Sequence, residues 1–362
     1  MKGINLWLIT FLCVLLCLPI SACTSDYDTL DCYYFNTEIH IEVYDSKLNN
    51  NQKQQINQLL DGLEKEFSAN KTTSSVYQFN NLNKGESITI SQRVKLILDN
   101  ALELYHYSNK KFNPAVYPLS ELWQFAPSFD RLNFNLPSEE SINKVLESGV
   151  LEFEDVFSIS QSSGQFLLTK NVQGAKIDLG GIVKGYASDQ IASMLKSYGH
   201  TQGYVNCGSS SLNILSANSL GVVHPENTFE QLISINSGLK GTSISTSGDY
   251  QRFHVKDGVK YSHIIDANSG KPIKTGVVSA TVVCDDGTFA DAISTALCVC
   301  EYDNNIAENQ LLNLMTKILK DKPSSQLYVV INNLNQKIIL TNKEKGVDFT
   351  LLDSDYAIKK IS

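Results

Sequence analysis

Apolar residues in this chain change period several times, and each change marks an element. From Phe35 to Asp45, "FNTEIHIEVYD" sets Ile39, Ile41 and Val43 between polar neighbours, the alternation of a half-buried strand. The period then lengthens. Ile56, Leu59, Leu60, Leu63 and Phe67 share one face at helical spacing, as do Val94, Ile97, Ala101, Leu104 and Tyr105 within a helix expected from Ser91 to Ser108. "LPSEESINKVLESG" opens on Pro137 and Ser138 and closes on Gly149, the punctuation of a short helix. In "FSISQSSGQFLLT" the period falls to two around a Ser163-Gly164 turn, and "FHVKDGVKYSHIID" repeats the device with Asp257-Gly258. Helices are expected from Asp291 to Val299 and from Asn309 to Leu319, and "LYVVINNLNQKIILT" reads as a last hairpin. Hairpins argue for antiparallel pairing, so the expected class is α+β: a mixed, largely antiparallel sheet with flanking helices.

One junction in this pattern carries candidate chemistry. "AKIDLGGIVKGYASDQI", Ala175 to Ile191, joins what reads as a strand end to a helix whose stripe is Ala187, Ile191, Met194, Leu195 and Tyr198 and whose stop is Gly199. Gly180 and Gly181 are expected just before its first turn, where free backbone amides attract anions. Lys184 in that turn is unfavourable on dipole grounds unless an anion or a carboxylate compensates it. A phosphate partner and a solvated lysine remain equally open; GxGxxG and GxxxxGK[ST] are both missing. Downstream, Asp291 and Thr295 in "DGTFADAISTALCVC" are four apart on a helix, so their oxygens share a face. That pair suits a hard cation such as Mg2+, although the same spacing commonly serves capping or solvation. No GxSxG elbow supports a serine hydrolase.

Composition narrows the reading. With 362 residues, 42% of them hydrophobic, the chain can build one large domain or two small ones, and its formal charge of −8 without a basic run argues against a duplex nucleic-acid partner. Lys2 precedes "INLWLITFLCVLLCLPI", short for a membrane span and interrupted by polar residues, and "LPISAC" resembles a bacterial lipobox ending at Cys23. The expected organisation is a signal peptide over 1–22, a tether over 23–34 after a lipidated Cys23, and one domain over 35–362. An exported protein anchored by its acyl chains on the extracytoplasmic face of a membrane follows. Cys32, Cys207, Cys284, Cys298 and Cys300 would then remain, an odd number without zinc spacing, expected as buried thiols.

Four ordered stretches, "KIDLGGIVKGYASDQI", "TSISTSGDYQRF", "YSHIIDANSGKPI" and "ADAISTAL", resemble the ApbE family of FAD:protein FMN transferases. "FNTEIHIEVYD" and "KKFNPAVYPLSELWQF" are similar to that family's opening strand and to a loop of it. The resemblance implies an ApbE-like, T-fold-like architecture and a Mg2+-dependent reaction. In it FAD is the substrate, FMN passes to a Thr or Ser hydroxyl of a partner flavoprotein in a membrane or extracytoplasmic redox system, and AMP leaves. It implies metal ligands at Gly181, Asp291 and Thr295, and FAD contacts at Phe35 on the first strand, Lys111, Phe112, Asn113, Asp178, Lys184 and the Ile265 backbone. His263, the one histidine in those four ordered stretches, is the candidate base beside Asp291, with a structural histidine bonding a turn carbonyl as the alternative. Asn70 falls near a position that is often aromatic in the family, and a missing ring there would favour looser flavin binding or FAD hydrolysis by water. Three readings follow: flavin transfer, Mg2+-dependent FAD pyrophosphatase activity, and a non-catalytic FAD-binding lipoprotein.

Overall fold

The computed structural model describes residues 27–126, 133–302, 309–333 and 336–361, so the expected signal peptide and Cys23 lie outside the described residues. Among those residues the alternating segments join into one nine-stranded sheet. Its order is β1 (Asp28–Tyr34), β2 (Thr37–Val43), β6 (Gly203–Cys207), β7 (Ser211–Ser216), β10 (Thr242–Gly248), β15 (Val277–Cys284), β16 (Gln326–Asn333), β17 (Gln336–Thr341) and β19 (Ala357–Lys360). Neighbours are antiparallel except β17 with β19. The α+β class expected from the hairpins is the one observed.

The expected turns form with the backbone that their residues favour. Ser163 (φ 49°) and Gly164 (φ 79°) join β4 (Phe157–Ser162) to β5 (Gln165–Lys170), and β3 (Ser87–Ile90) pairs with the other edge of β5. Asp257 (φ 51°) and Gly258 (φ 74°) join β11 (Phe253–Lys256) to β12 (Val259–Ser262), left-handed at both central positions as a two-residue hairpin requires. A short ladder, β13 (Ile265–Asp266) with β14 (Lys271–Pro272), follows it.

Helices α1 (Asn50–Phe67), α2 (Ser75–Asn80), α3 (Gln92–Tyr107), α4 (Tyr117–Leu122), α5 (Glu139–Leu146), α6 (Gly180–Ser197), α7 (Gly287–Val299) and α8 (Gln310–Asp321) complete the architecture. Helix α1 starts in a capping box between Asn49 and Gln52. Helix α7 begins a turn before the expected Asp291, because the Asp286 carboxylate accepts the Phe289 amide at 3.0 Å and caps it. It ends at Val299, so Cys300 is a cap residue and not helical. Helices α6 and α7 cover one face of the large sheet. On the other face Ile214, Ile244, Tyr328 and Val330 form an apolar cluster with a small sheet, β8 (Leu220–Val223), β9 (Gln231–Ile235) and β18 (Phe349–Leu351).

Three expectations are corrected. The stretch Asp28–Tyr34, assigned to the tether, is strand β1, paired along its length with β2 and pinned by Asp28, which meets Lys53 at 2.8 Å and the Leu48 amide at 3.1 Å. Phe35 is therefore not on a strand; with Asn36 it forms the turn between β1 and β2, at φ 54° and 58°. Residues 175–179 are not a strand either, and α6 already includes both glycines. Of the five cysteines among the described residues, all free, four are buried and Cys32 is half-buried.

Candidate functional site

The site grows out of the first turn of α6. Leu179, at its N-cap, offers no side-chain acceptor, so Asp178 does the capping: its Oδ1 accepts the Gly180 amide at 2.8 Å. Helix α6 then crosses α7 at a glycine pair. A Cβ on Gly185 would lie 1.9 Å from the Gly287 carbonyl oxygen, so this approach is open only to glycine. That crossing sets Asp291, one turn along α7, against α6. Its carboxylate is buried at 3% exposure, accepts the Gly185 amide at 3.1 Å and stands 3.6 Å from the Lys184 ammonium. Lys184 also donates to the Gly180 carbonyl. The lysine that the helix dipole disfavours thus has its compensating carboxylate, supplied by α7.

Thr295 completes this face. Its hydroxyl lies 3.0 Å from the Ser247 hydroxyl, which meets Ser294 at 2.8 Å. The same Thr295 oxygen is 3.7 Å from where a Cβ on Gly181 would sit, and the Phe112 ring is 3.4 Å from that point. Gly181, Lys184, Asp291, Thr295 and Phe112 are therefore brought together. Beneath them Asp189 accepts from Asn213 (2.9 Å), the Gly287 amide (2.7 Å) and Ser243 (2.5 Å), tying α6 to α7 and the sheet. Burial raises the Asp189 pKa despite these donors.

His263 and Arg252 stand at the ends of the β11–β12 hairpin. The Arg252 carbonyl accepts the His263 amide and lies 3.0 Å from His263 Nδ1. A carbonyl can only accept, so Nδ1 carries the proton and Nε2 keeps its lone pair. Burial, then the Arg252 and Lys184 charges, hold the His263 pKa well below the usual histidine range, so the ring is neutral at neutral pH. Burial lowers the Arg252 pKa while the Asp178 carboxylate opposes that shift. Asp178, Lys184, Arg252 and His263 thus share one electrostatic neighbourhood.

The remaining candidates divide. The Phe35 amide donates to Glu64 Oε1 at 2.9 Å, and Glu64 also pairs with Lys71, beside Asn70. Asn70 is exposed, and its Oδ1 accepts from the Tyr117 hydroxyl at 3.2 Å. Both ends of the Asn113 side chain are engaged: Oδ1 caps Ala115 and Nδ2 donates to the Leu151 carbonyl, each at 2.9 Å. Ile265 is buried and paired with Pro272, and Lys111 is half-buried; the contacts that join the cluster do not extend to these two among the described residues. Sequence reasoning missed Arg252, Ser247, Tyr117 and Asp189. Arg252 had a signal, being one of three arginines in the chain and lying inside a matching motif.

A model of the ApbE family matches residues 35–315. A curated relative from Escherichia coli (strain K12), named FAD:protein FMN transferase, is 29% identical over 264 residues, covering 70% of this chain and 72% of the relative. A relative of the same name from Treponema pallidum is 28% identical over 264 residues, 69% and 71% of the two chains. Among solved structures, the ApbE protein of Thermotoga maritima superposes with a TM-score of 0.71 at 27% identity, covering 84% of this chain and 94% of that one. The flavin transferase ApbE of Vibrio cholerae gives 0.71 at 22% identity, covering 87% and 97%, a likeness of fold.

Proposed function

Because the chain belongs to the ApbE family, we propose that it is an FAD:protein FMN transferase that splits FAD, releases AMP and leaves FMN on a Thr or Ser hydroxyl of a partner flavoprotein. The observation that carries the reading is the buried Asp291 carboxylate held 3.6 Å from Lys184 at the first turn of α6. The acceptor oxygen attacks the FMN phosphorus, the bond from that phosphorus to the bridging oxygen breaks, and AMP leaves with the electron pair. The hydroxyl proton passes to His263 Nε2, which is unprotonated because Nδ1–H is spent on the Arg252 carbonyl. Lys184 supplies positive charge for the phosphate oxygens.

The donors fit a divalent cation. The Asp291 carboxylate, the Thr295 hydroxyl and the Gly181 carbonyl are hard oxygens from residues that the α6–α7 crossing gathers, a partial shell of the kind Mg2+ completes with water and phosphate oxygens. Bound there, Mg2+ would neutralise the pyrophosphate. Phe35, Asn70, Lys111, Phe112, Asn113, Asp178 and the Ile265 backbone are the proposed FAD contacts. An exposed Asn70, hydrogen-bonded to Tyr117 where a ring would cover flavin, favours a second reading in which water is the acceptor and the products are FMN and AMP.

One incubation separates the readings: purified protein with FAD and Mg2+, with and without a candidate acceptor. AMP together with a covalently fluorescent acceptor supports transfer, AMP without it supports hydrolysis, and binding with no AMP leaves a flavin carrier and overturns both enzymatic readings. The proposal extends to location, with Cys23 acylated and the domain on the extracytoplasmic face beside an acceptor of the same membrane. Cys23→Ala should then release the protein from membranes into the soluble fraction.

A further inference from the structure

The segment 175–179 enters the site without a strand to carry it, yet Ala175, Ile177 and Leu179 are fully buried and their polar backbone groups need partners. Asn80, the last residue of α2 and itself 6% exposed, supplies two. Its Oδ1 accepts the Ile177 amide at 2.8 Å and its Nδ2 donates to the Ile177 carbonyl at 2.9 Å, so one side chain reproduces both bonds of a β-ladder rung. The next residue is Asp178, whose amide donates to the Pro114 carbonyl at 2.8 Å and whose carboxylate caps α6.

Asn80 is fixed from behind. The Lys170 side chain, 1% exposed, donates from Nζ to the Asn80 main-chain carbonyl at 2.9 Å and lies over the Phe79 ring at 5.1 Å. That carbonyl is one of the unpaired acceptors at the C-terminus of α2, where a cation is favoured. Burial, then the Lys176 charge, lower the Lys170 pKa to about 8.

We propose that Asn80, held by Lys170, is a positioning residue that sets Asp178 and the first turn of α6 for FAD. This inference rests on the proposed function only in taking FAD as the ligand. The charged group that meets Asn80 is Lys170 from β5, whose own charge feels Lys176 on the clamped segment and Glu86 ahead of β3, and Lys176 and Asp178 flank the clamped Ile177. A carboxylate at position 80 can still accept from the Ile177 amide but can donate to the Ile177 carbonyl only when protonated.

The test is Asn80→Asp and Asn80→Ala in the full chain, read by FAD affinity in a flavin-fluorescence titration, by KM and kcat for AMP release, and by thermal melting. Displacing the clamp should raise the FAD Kd and KM roughly tenfold in both variants at pH 8, with kcat within about twofold. In Asn80→Asp the affinity should return towards wild type as the pH is lowered to about 5.5, whereas Asn80→Ala should show no such recovery. Lys170→Met should give a smaller rise. Wild-type affinity in both Asn80 variants overturns the inference, as does an Asn80→Asp defect that ignores pH. Should Asn80→Ala fail to fold, the pH response of the isosteric Asn80→Asp decides. Failure of the wild-type protein to bind FAD removes the proposed function together with the inference; binding without AMP release removes only the function, and the Kd series still tests the clamp.

Discussion

Strand β10 shows the two faces of the large sheet within seven residues, "TSISTSG". On one face Ser243 bonds to Asp189 and Ser247 to Ser294 and Thr295, under α6 and α7; on the other, Ile244 joins the apolar cluster with Tyr328 and Phe349. Alternation alone assigns the sides. The helix-covered face uses small hydroxyls, which let α6 and α7 lie close and satisfy a buried carboxylate. The sheet-covered face uses mainly branched and aromatic side chains, with a hydroxyl pair between Thr246 and Thr281 at 2.9 Å. Chemistry is therefore expected to fail from one face and stability from the other.

Asp291→Asn strikes the first face hardest. AMP release should fall about a thousandfold, a loss of about 4 kcal/mol of transition-state stabilisation, with melting nearly unchanged because the amide can still accept from Gly185. Retained turnover would break the comparison at its centre. Phe349→Ala strikes the other face and should cost about 3–5 kcal/mol in a denaturant titration while the folded fraction keeps its specific activity. An equal loss of activity per folded molecule would show that the faces are coupled. Gly185→Ala tests the crossing itself: the added methyl meets the Gly287 carbonyl, so about 1–3 kcal/mol of stability should go together with AMP release. The smallest effect belongs to His40 on β2, whose ring packs beside Tyr204 of the apolar cluster. Hydrogen bonding to Glu42, and then to Asp31, raises its pKa to about 9 against the cost of burial. Its stabilisation should be complete below the unfolded value of about 6.5 and be lost as pH rises through 9, and His40→Gln should flatten that slope in melts at several pH values.

The regions that were legible in the sequence are those where local pattern and tertiary outcome agree. Asp257-Gly258 and Ser163-Gly164 give their turns because each demands left-handed backbone at both positions. Asp291 and Thr295 were legible because helical spacing alone puts them on one face. Strand β1 was not, since at the sheet edge its inward residues Leu30, Cys32 and Tyr34 are only partly buried and an aromatic, Tyr33, points outward, which blurs the alternation in the sequence. The segment 175–179 carries the alternation of a strand, with Ala175, Ile177 and Leu179 buried, but its partner is a side chain, Asn80, ninety-seven residues away in the chain. Arg252 and Asp189 matter through what they meet across the fold, which no local period records.

Strand β1 also bears on the proposed lipid anchor. If Cys23 holds the acyl chains, only Cys23 to Tyr27 separate them from the sheet, a leash of at most about 18 Å even when fully extended. On that proposal the leash would keep the domain at the bilayer, and the acceptor would have to present its hydroxyl within the domain's own reach of the same membrane.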